Sequence, residues 1–306
     1  MTTKAPKAAI AEANRLSKLL SLSRGSERFP VDVKELALGY AHQFGCEDPI
    51  TNVIGSDLPG FEGALFRIDN LDKREWSIIF NSGITVSGRV RFTLAHELAH
   101  YILHRHTRDT FECSAADMVQ WDSDEKQQEA EADLFASYLL MPLDDFRRTI
   151  CGGPVDLDSL DACATRYGVS LTAAILKWLE FTPERAVFVM SRDGYILWSR
   201  SSQSALHSGA YFRTRNAVVS VPPASLAANT GGAASERNGV LLAAGTWFSK
   251  EPRDMSVREM KIVSDRYEQT MSLLILPEAE GHWDSESGEN EIELLDDRIR
   301  SGRFPR

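Results

Sequence analysis

The stretch that most constrains this chain is "RFTLAHELAHYILHRH" at residues 91–106, which gathers four of the seven histidines into eleven positions. His96, Glu97 and His100 within it spell H-E-x-x-H. On a helix, residues four apart differ by roughly 40° in direction, so both imidazoles can face one metal ion. Glu97 lies about 100° round from His96, where it can approach the ion without ligating it. There it can take a proton from an attacking water and return it to a leaving amine. The competing reading is a buried helix with satisfied core histidines. It is disfavoured because two imidazoles and a carboxylate are costly to bury on an otherwise apolar helix without a partner.

A catalytic zinc site takes a third protein ligand and keeps one position open. The segment "EKQQEAEADLFASYLL", residues 125–140, supplies candidates. Glu129 and Asp133 are four apart and share a face, so one can bind the ion while the other accepts the free N–H of a ligand histidine. Glu131 points about 200° away from Glu129, and both cannot reach the metal. Glu129 is favoured because it alone has an acidic residue four positions later. His104 shares the face of His96 and His100 but sits one turn, ~6 Å, further along, as a polar cap or a group supporting a ligand. His106 reads as solvated, and Tyr101 and Tyr138 read as core residues. Zinc suits these donors, and manganese or another first-row divalent ion is also compatible.

Along the chain, helical spacing over Ala9–Leu22 and in "VDVKELALGYAHQF" predicts two opening helices, with residues 1–8 frayed. "GALFRI" and "EWSIIFN" predict a hairpin, residues 90–104 a buried helix, and "HTRDTFECSAADMVQWDSDE" a surface connection. Pro142 ends the helix begun at residue 125. "LDSLDACATRY" and "LTAAILKWLEF" predict a helical pair broken at Gly168, with Ser170 suited to cap the second helix. From Ala186 the period becomes two in "AVFVMS", "YILWSR", "AVVSVP", "GVLLAAGTWF" and "MSLLILP", which predicts a sheet with "SRDG" as a hairpin turn. "PPASLAANTGGAASERNG" reads as a long loop. Glu278–Asp297 holds nine acidic residues and no lysine or arginine, which predicts a disordered acidic tail. The expected architecture is an α+β N-terminal domain, a helical connector and a C-terminal α+β domain.

The two motif segments together resemble the ImmA/IrrE family of zinc metallopeptidases. "RFTLAHELAHYILHRH" resembles that family's metal-binding helix, and "EAEADLFASYLLMP" its downstream ligand helix. The resemblance implies a zincin-like domain in which His96, His100 and Glu129 hold zinc and Glu97 is the catalytic base. The family commonly has asparagine where this chain has Asp133, which makes the supporting group here charged. Past Pro142 the likeness weakens. Longer relatives carry a helix-turn-helix-like segment and a domain similar to GAF sensors. Those likenesses imply domains at 9–145, 154–182 and 184–277, followed by a tail at 278–306. The family's characteristic substrates are XRE-type helix-turn-helix repressors, whose cleavage switches on DNA-damage, stress or mobile-element genes.

A net charge of −10 and a pI near 5.3 argue against a polyanion partner for the chain as a whole. No apolar run approaches the ~18–20 residues of a membrane span, and the N-terminus lacks the apolar core of a signal peptide. Cys46, Cys113, Cys151 and Cys163 are scattered and read as free thiols, so a cytoplasmic location is expected. A DNA-binding regulator acting through residues 157–181 is a competing function, but "LTAAILKWLEF" offers only Lys177 for phosphate contacts. A metal-dependent sensor that binds its partner without cutting it is another. Glu97 speaks against that reading, because a purely structural metal site needs no base beside its ligands.

Overall fold

The computed structural model describes residues 5–58, 60–70, 73–114, 123–214, 217–229, 235–264 and 268–278. The acidic tail beyond residue 278 lies outside the described residues. The chain has a mixed α+β fold and divides into two compact units. Among the described residues, one takes those up to Thr149 together with Ala164–Ser170, and the other takes Ile150–Cys163 and those from Leu171 on.

The first unit opens with α1 (Ala5–Arg24) and α2 (Val33–Phe44). Asp32 caps α2 by accepting from the Glu35 amide, and Gly45 closes it in the left-handed conformation at φ 68°. A four-stranded sheet follows, built from β1 (Ile50–Ser56), β2 (Phe61–Asn70), β3 (Lys73–Asn81) and β4 (Thr110–Ser114). Its order is β1-β3-β2-β4, with β1 parallel to β3 and the other pairs antiparallel. Against it lies α3 (Ser87–Ala99), and α4 (Ser123–Leu140) packs in turn on α3 and α1. Leu65, Trp76, Ile78, Leu98, Phe135 and Leu139 are all buried in the shared core. Burial of this kind contributes roughly 25 cal/mol per Å² of apolar surface and dominates the stability of the layer.

Several expectations are corrected here. Residues 50–56, for which the sequence pattern makes no assignment, form a strand paired with β3; only Ile50 and Val53 are buried, so no alternation marks it. The supposed surface connection contains β4, a short edge strand in which Phe111 is buried. The metal-motif helix runs through 90–104 as expected, but its hydrogen bonding changes on the way: α3 passes after Ala99 directly into a π-helical turn over His100–His104, with helical dihedrals kept at the junction. Pro142 stops α4 and also begins α5 (Leu143–Ile150), with the Phe146 amide donating to the Pro142 carbonyl at 2.9 Å.

Within the first unit, Asp145 of α5 is buried against Arg28, Arg166 and Tyr167. It accepts from Arg166 at 2.9 Å and from the Tyr167 hydroxyl at 2.7 Å. Burial opposes ionisation, yet the Arg166 and Tyr167 hydrogen bonds hold the carboxyl down to about 2, from an ordinary value of 3.8. A depressed carboxyl contributes stability that is complete above its unfolded value and lost as the pH falls through its folded one. Asp145→Ala, which strands the buried Arg28, is expected to cost about 3–5 kcal/mol at neutral pH. Urea midpoints check this: the gap to wild type should narrow as the pH is lowered from 5 toward 2. Equal midpoints at pH 7 would discard the assignment.

The second unit holds a six-stranded antiparallel sheet and α7 (Leu171–Leu179), while α6 (Leu157–Tyr167) lends its last turn to the first unit. The strands are β5 (Arg185–Arg192), β6 (Tyr195–Ser201), β7 (Val219–Ser220), β8 (Ser235–Ala243), β9 (Ser256–Ser264) and β10 (Gln269–Leu276), in the order β7-β6-β5-β10-β9-β8. Asp193 and Gly194, at φ 51° and 78°, make the tight β5–β6 turn. A short α8 (Gln203–His207), capped by Ser202, was not foreseen, nor was β9. The inward positions of β9 include Glu259 and Lys261, which hides its period. Glu259 accepts from the amides of Leu226 and Ala227 and from the Trp247 indole, and Lys261 donates to the Asn229 carbonyl. "GVLLAAGTWF" is strand only to Ala243, and a 3-10 turn then carries the chain to Trp247. The sequence-predicted loop 222–239 likewise loses its last five residues to β8. Cys46, Cys151 and Cys163 are free thiols. Among the described residues, no helix is long and apolar enough to cross a membrane.

Candidate metal centre

Every residue from Thr93 to Ala99 of α3 is buried, so His96 and Glu97 are polar groups that the fold must satisfy internally. His100 opens the π-helical turn and is fully buried. π-helical turns inside helices often mark functional sites. The partners come from α4. His96 Nε2 lies 3.1 Å from Glu129 Oε2, His100 Nε2 lies 3.2 Å from Glu129 Oε1, and the two Nε2 atoms are 3.0 Å apart.

These three sides match the triangle of donors that a small divalent ion needs. With zinc–nitrogen bonds of about 2.0–2.1 Å, a tetrahedral site places its donors about 3.3 Å apart. His96, His100 and Glu129 form a possible metal site, their ligand atoms all within 4.8 Å of one another. Burial pushes the His100 imidazole down to about 4, which keeps it neutral and able to ligate. Burial raises the Glu129 carboxyl, but the adjacent His100 and His96 rings outweigh this and hold it well below the usual carboxylate range.

Each imidazole is oriented from behind. Asp133 Oδ1 stands 2.9 Å from His96 Nδ1, so Nδ1 carries the proton and Nε2 is left as the donor atom. His100 is held less directly. Its Nδ1 is 3.1 Å from His104 Nδ1, and His104 Nε2 is 3.1 Å from Glu131 Oε2. Gln127 donates to the other Glu131 oxygen at 2.8 Å. Where the one ring proton of His104 is given to Glu131, its Nδ1 is an acceptor; the His100 proton then sits on Nδ1 and its Nε2 faces the other donors. The structure thus brings together His96, His100, Glu129, Asp133 and His104, and assigns Glu131 a partner that sequence reasoning missed. Phe111 of β4 was also missed, and its ring stacks on His100 at 4.7 Å. A lone phenylalanine in a polar stretch was its only signal. Glu97 is fully buried one residue from His96. His106 is exposed, and Tyr101 is a core residue whose hydroxyl donates to the Asp48 carbonyl at 2.8 Å.

Metal affinity should grade with these distances. Glu129→Ala is expected to lose most binding. Asp133→Ala should weaken it by ~10–100-fold because Asp133 touches a candidate ligand. Glu131→Ala should weaken it least because it acts through His104. Competition against a chromophoric chelator measures all three, and a larger loss for Glu131→Ala than for Glu129→Ala would reassign the third ligand.

Residues 46–179 match the family model of an IrrE N-terminal-like domain. That span takes in the sheet, α3, α4 and every donor described above. No curated protein sequence matches the chain. Among solved structures, a Mycobacterium tuberculosis transcriptional regulator is similar over 88% of this chain and 76% of its own, with a TM-score of 0.50 and 16% identity. At that identity the likeness is one of fold.

Proposed function

Starting from residues 46–179 as the IrrE N-terminal-like domain of an ImmA/IrrE family member, we propose that this chain is a zinc-dependent endopeptidase that cleaves an XRE-type helix-turn-helix repressor. Its action relieves repression of stress, DNA-damage or mobile-element genes inside the cell. The observation that carries this reading is the convergence of His96, His100 and Glu129 with a buried Glu97 beside them. A structural site would be closed by four protein ligands and would need no base.

In this reading His96, His100 and Glu129 hold the ion, and Asp133 and the His104–Glu131 pair keep both imidazoles aimed. A divalent ion bound there supplies Lewis acidity toward a water and an amide carbonyl. Glu97 accepts the proton that the attacking water loses as oxygen adds to the carbonyl carbon. It delivers that proton to the amide nitrogen as the C–N bond breaks. Histidine and carboxylate donors also admit manganese, so zinc is the proposed ion and not the only one the donors can take.

Direct action on DNA is the weaker reading. Lys177, the one basic residue of α7, is buried and ion-paired with Glu180 at 2.9 Å, so it does not reach a phosphate. The proposed organisation keeps a peptidase domain at 9–145, a connector at 154–182 and a GAF-like sensory domain at 184–277. Incubating the purified protein with the XRE-type regulator encoded beside its gene, with and without chelator, tests the function. An uncut regulator in both tubes would leave the sensor reading in place.

A further inference from the structure

Strand β2 crosses the Glu97 face of α3 at a glycine. A β-carbon on Gly63 would stand 2.5 Å from Thr93 Cγ2, 2.8 Å from Glu97 Oε1 and 3.3 Å from Glu97 Cγ. Carbon contacts are favourable only near 3.5–4.0 Å, so two of these three are overlaps. The Gly63 backbone is not in the left-handed region, and any residue could adopt it. Space, not backbone freedom, is what requires glycine here. A glycine inside a strand weakens the strand and often marks a close approach.

The strand cannot easily retreat. Gly63 pairs with Phe80 of β3 on one side and Cys113 of β4 on the other. Thr93 is β-branched and stiff about its first torsion. The part that yields most cheaply is the end of the Glu97 side chain, and Glu97 is fully buried, so a displaced carboxylate moves within the site.

We propose that Gly63 is a positioning residue for Glu97: the absence of a side chain on β2 reserves the space in which the general-base carboxylate stands. The inference rests on the reading of Glu97 as the base. It predicts a dissociation that a packing role does not: a substituent at position 63 should slow catalysis far more than it lowers stability or metal content. A misplacement of about 1 Å in a reacting group can cost ~100-fold in rate.

The test is built on Thr93→Ser, which removes the nearest overlapping atom, so that of the three nearest atoms only the two of Glu97 still meet Gly63→Ala. Single-turnover cutting of the XRE-type regulator, zinc content, thermal midpoint and a crystal structure are measured for each. Thr93→Ser should cut like wild type. The double variant should keep its zinc and its fold, cut ~10–100-fold more slowly, and show the Glu97 carboxylate shifted away from β2. Adding Glu97→Asp, one methylene shorter, should recover part of the rate in the double variant although it slows the wild type. An unshifted carboxylate, an undiminished rate or an unfolded double variant would each overturn the proposal. If Glu97→Gln itself cuts at the wild-type rate, the general-base reading has failed. The position of the carboxylate in the crystal structure then still decides what Gly63 does.

Discussion

Glu97→Gln is expected to keep the fold and the bound metal while cutting its repressor ~100-fold or more slowly, the upper part of what general acid–base catalysis contributes. Glutamine preserves the volume of a fully buried side chain. It leaves the donor atoms of His96, His100 and Glu129 untouched, yet its amide cannot accept and relay a proton. The comparison separates two classes of protein. A sensor that acts by binding alone still releases its partner from DNA when position 97 is glutamine, whereas a peptidase does not. A gel of the partner repressor with wild type, Glu97→Gln and chelator-treated wild type reads the difference. Equal cutting by the first two would remove Glu97 from the mechanism.

His100→Ala is expected to abolish stoichiometric metal binding. The ring is fully buried, faces both His96 and Glu129 through Nε2, and is oriented behind by His104. Removing it deletes a proposed ligand and the ring that stacks on Phe111. Metal analysis after dialysis should find one ion per chain in wild type and Glu97→Gln and a small fraction in His100→Ala. Equal contents in all three would show that the ion sits elsewhere.

Much of the candidate site was legible because helix geometry is local. The four-residue spacing of His96 and His100 places two imidazoles on one face whatever the helix packs against. The same spacing singled out Glu129 and Asp133. They stand on the two nitrogens of one ring, Nε2 at 3.1 Å and Nδ1 at 2.9 Å. Short apolar runs rich in β-branched and aromatic residues marked β3, β5 and β10, although β5 and β10 are buried along most of their length and not at alternate positions. That signal failed for β9, where Glu259 and Lys261 point inward and are satisfied by groups some thirty residues away.

The sequence by itself therefore determined which helices carry the chemistry and which faces they present. That information is written in periods of 3.6 and 2.0 residues and needs no partner to be read. The tertiary structure alone decided three things: that the metal-motif helix passes into a π-helical turn after Ala99, that Glu131 serves His104, and that β2 passes Glu97 at a residue with no side chain. Each depends on how closely elements distant in the chain approach. That distance is set by close packing of the whole core, which no local pattern encodes.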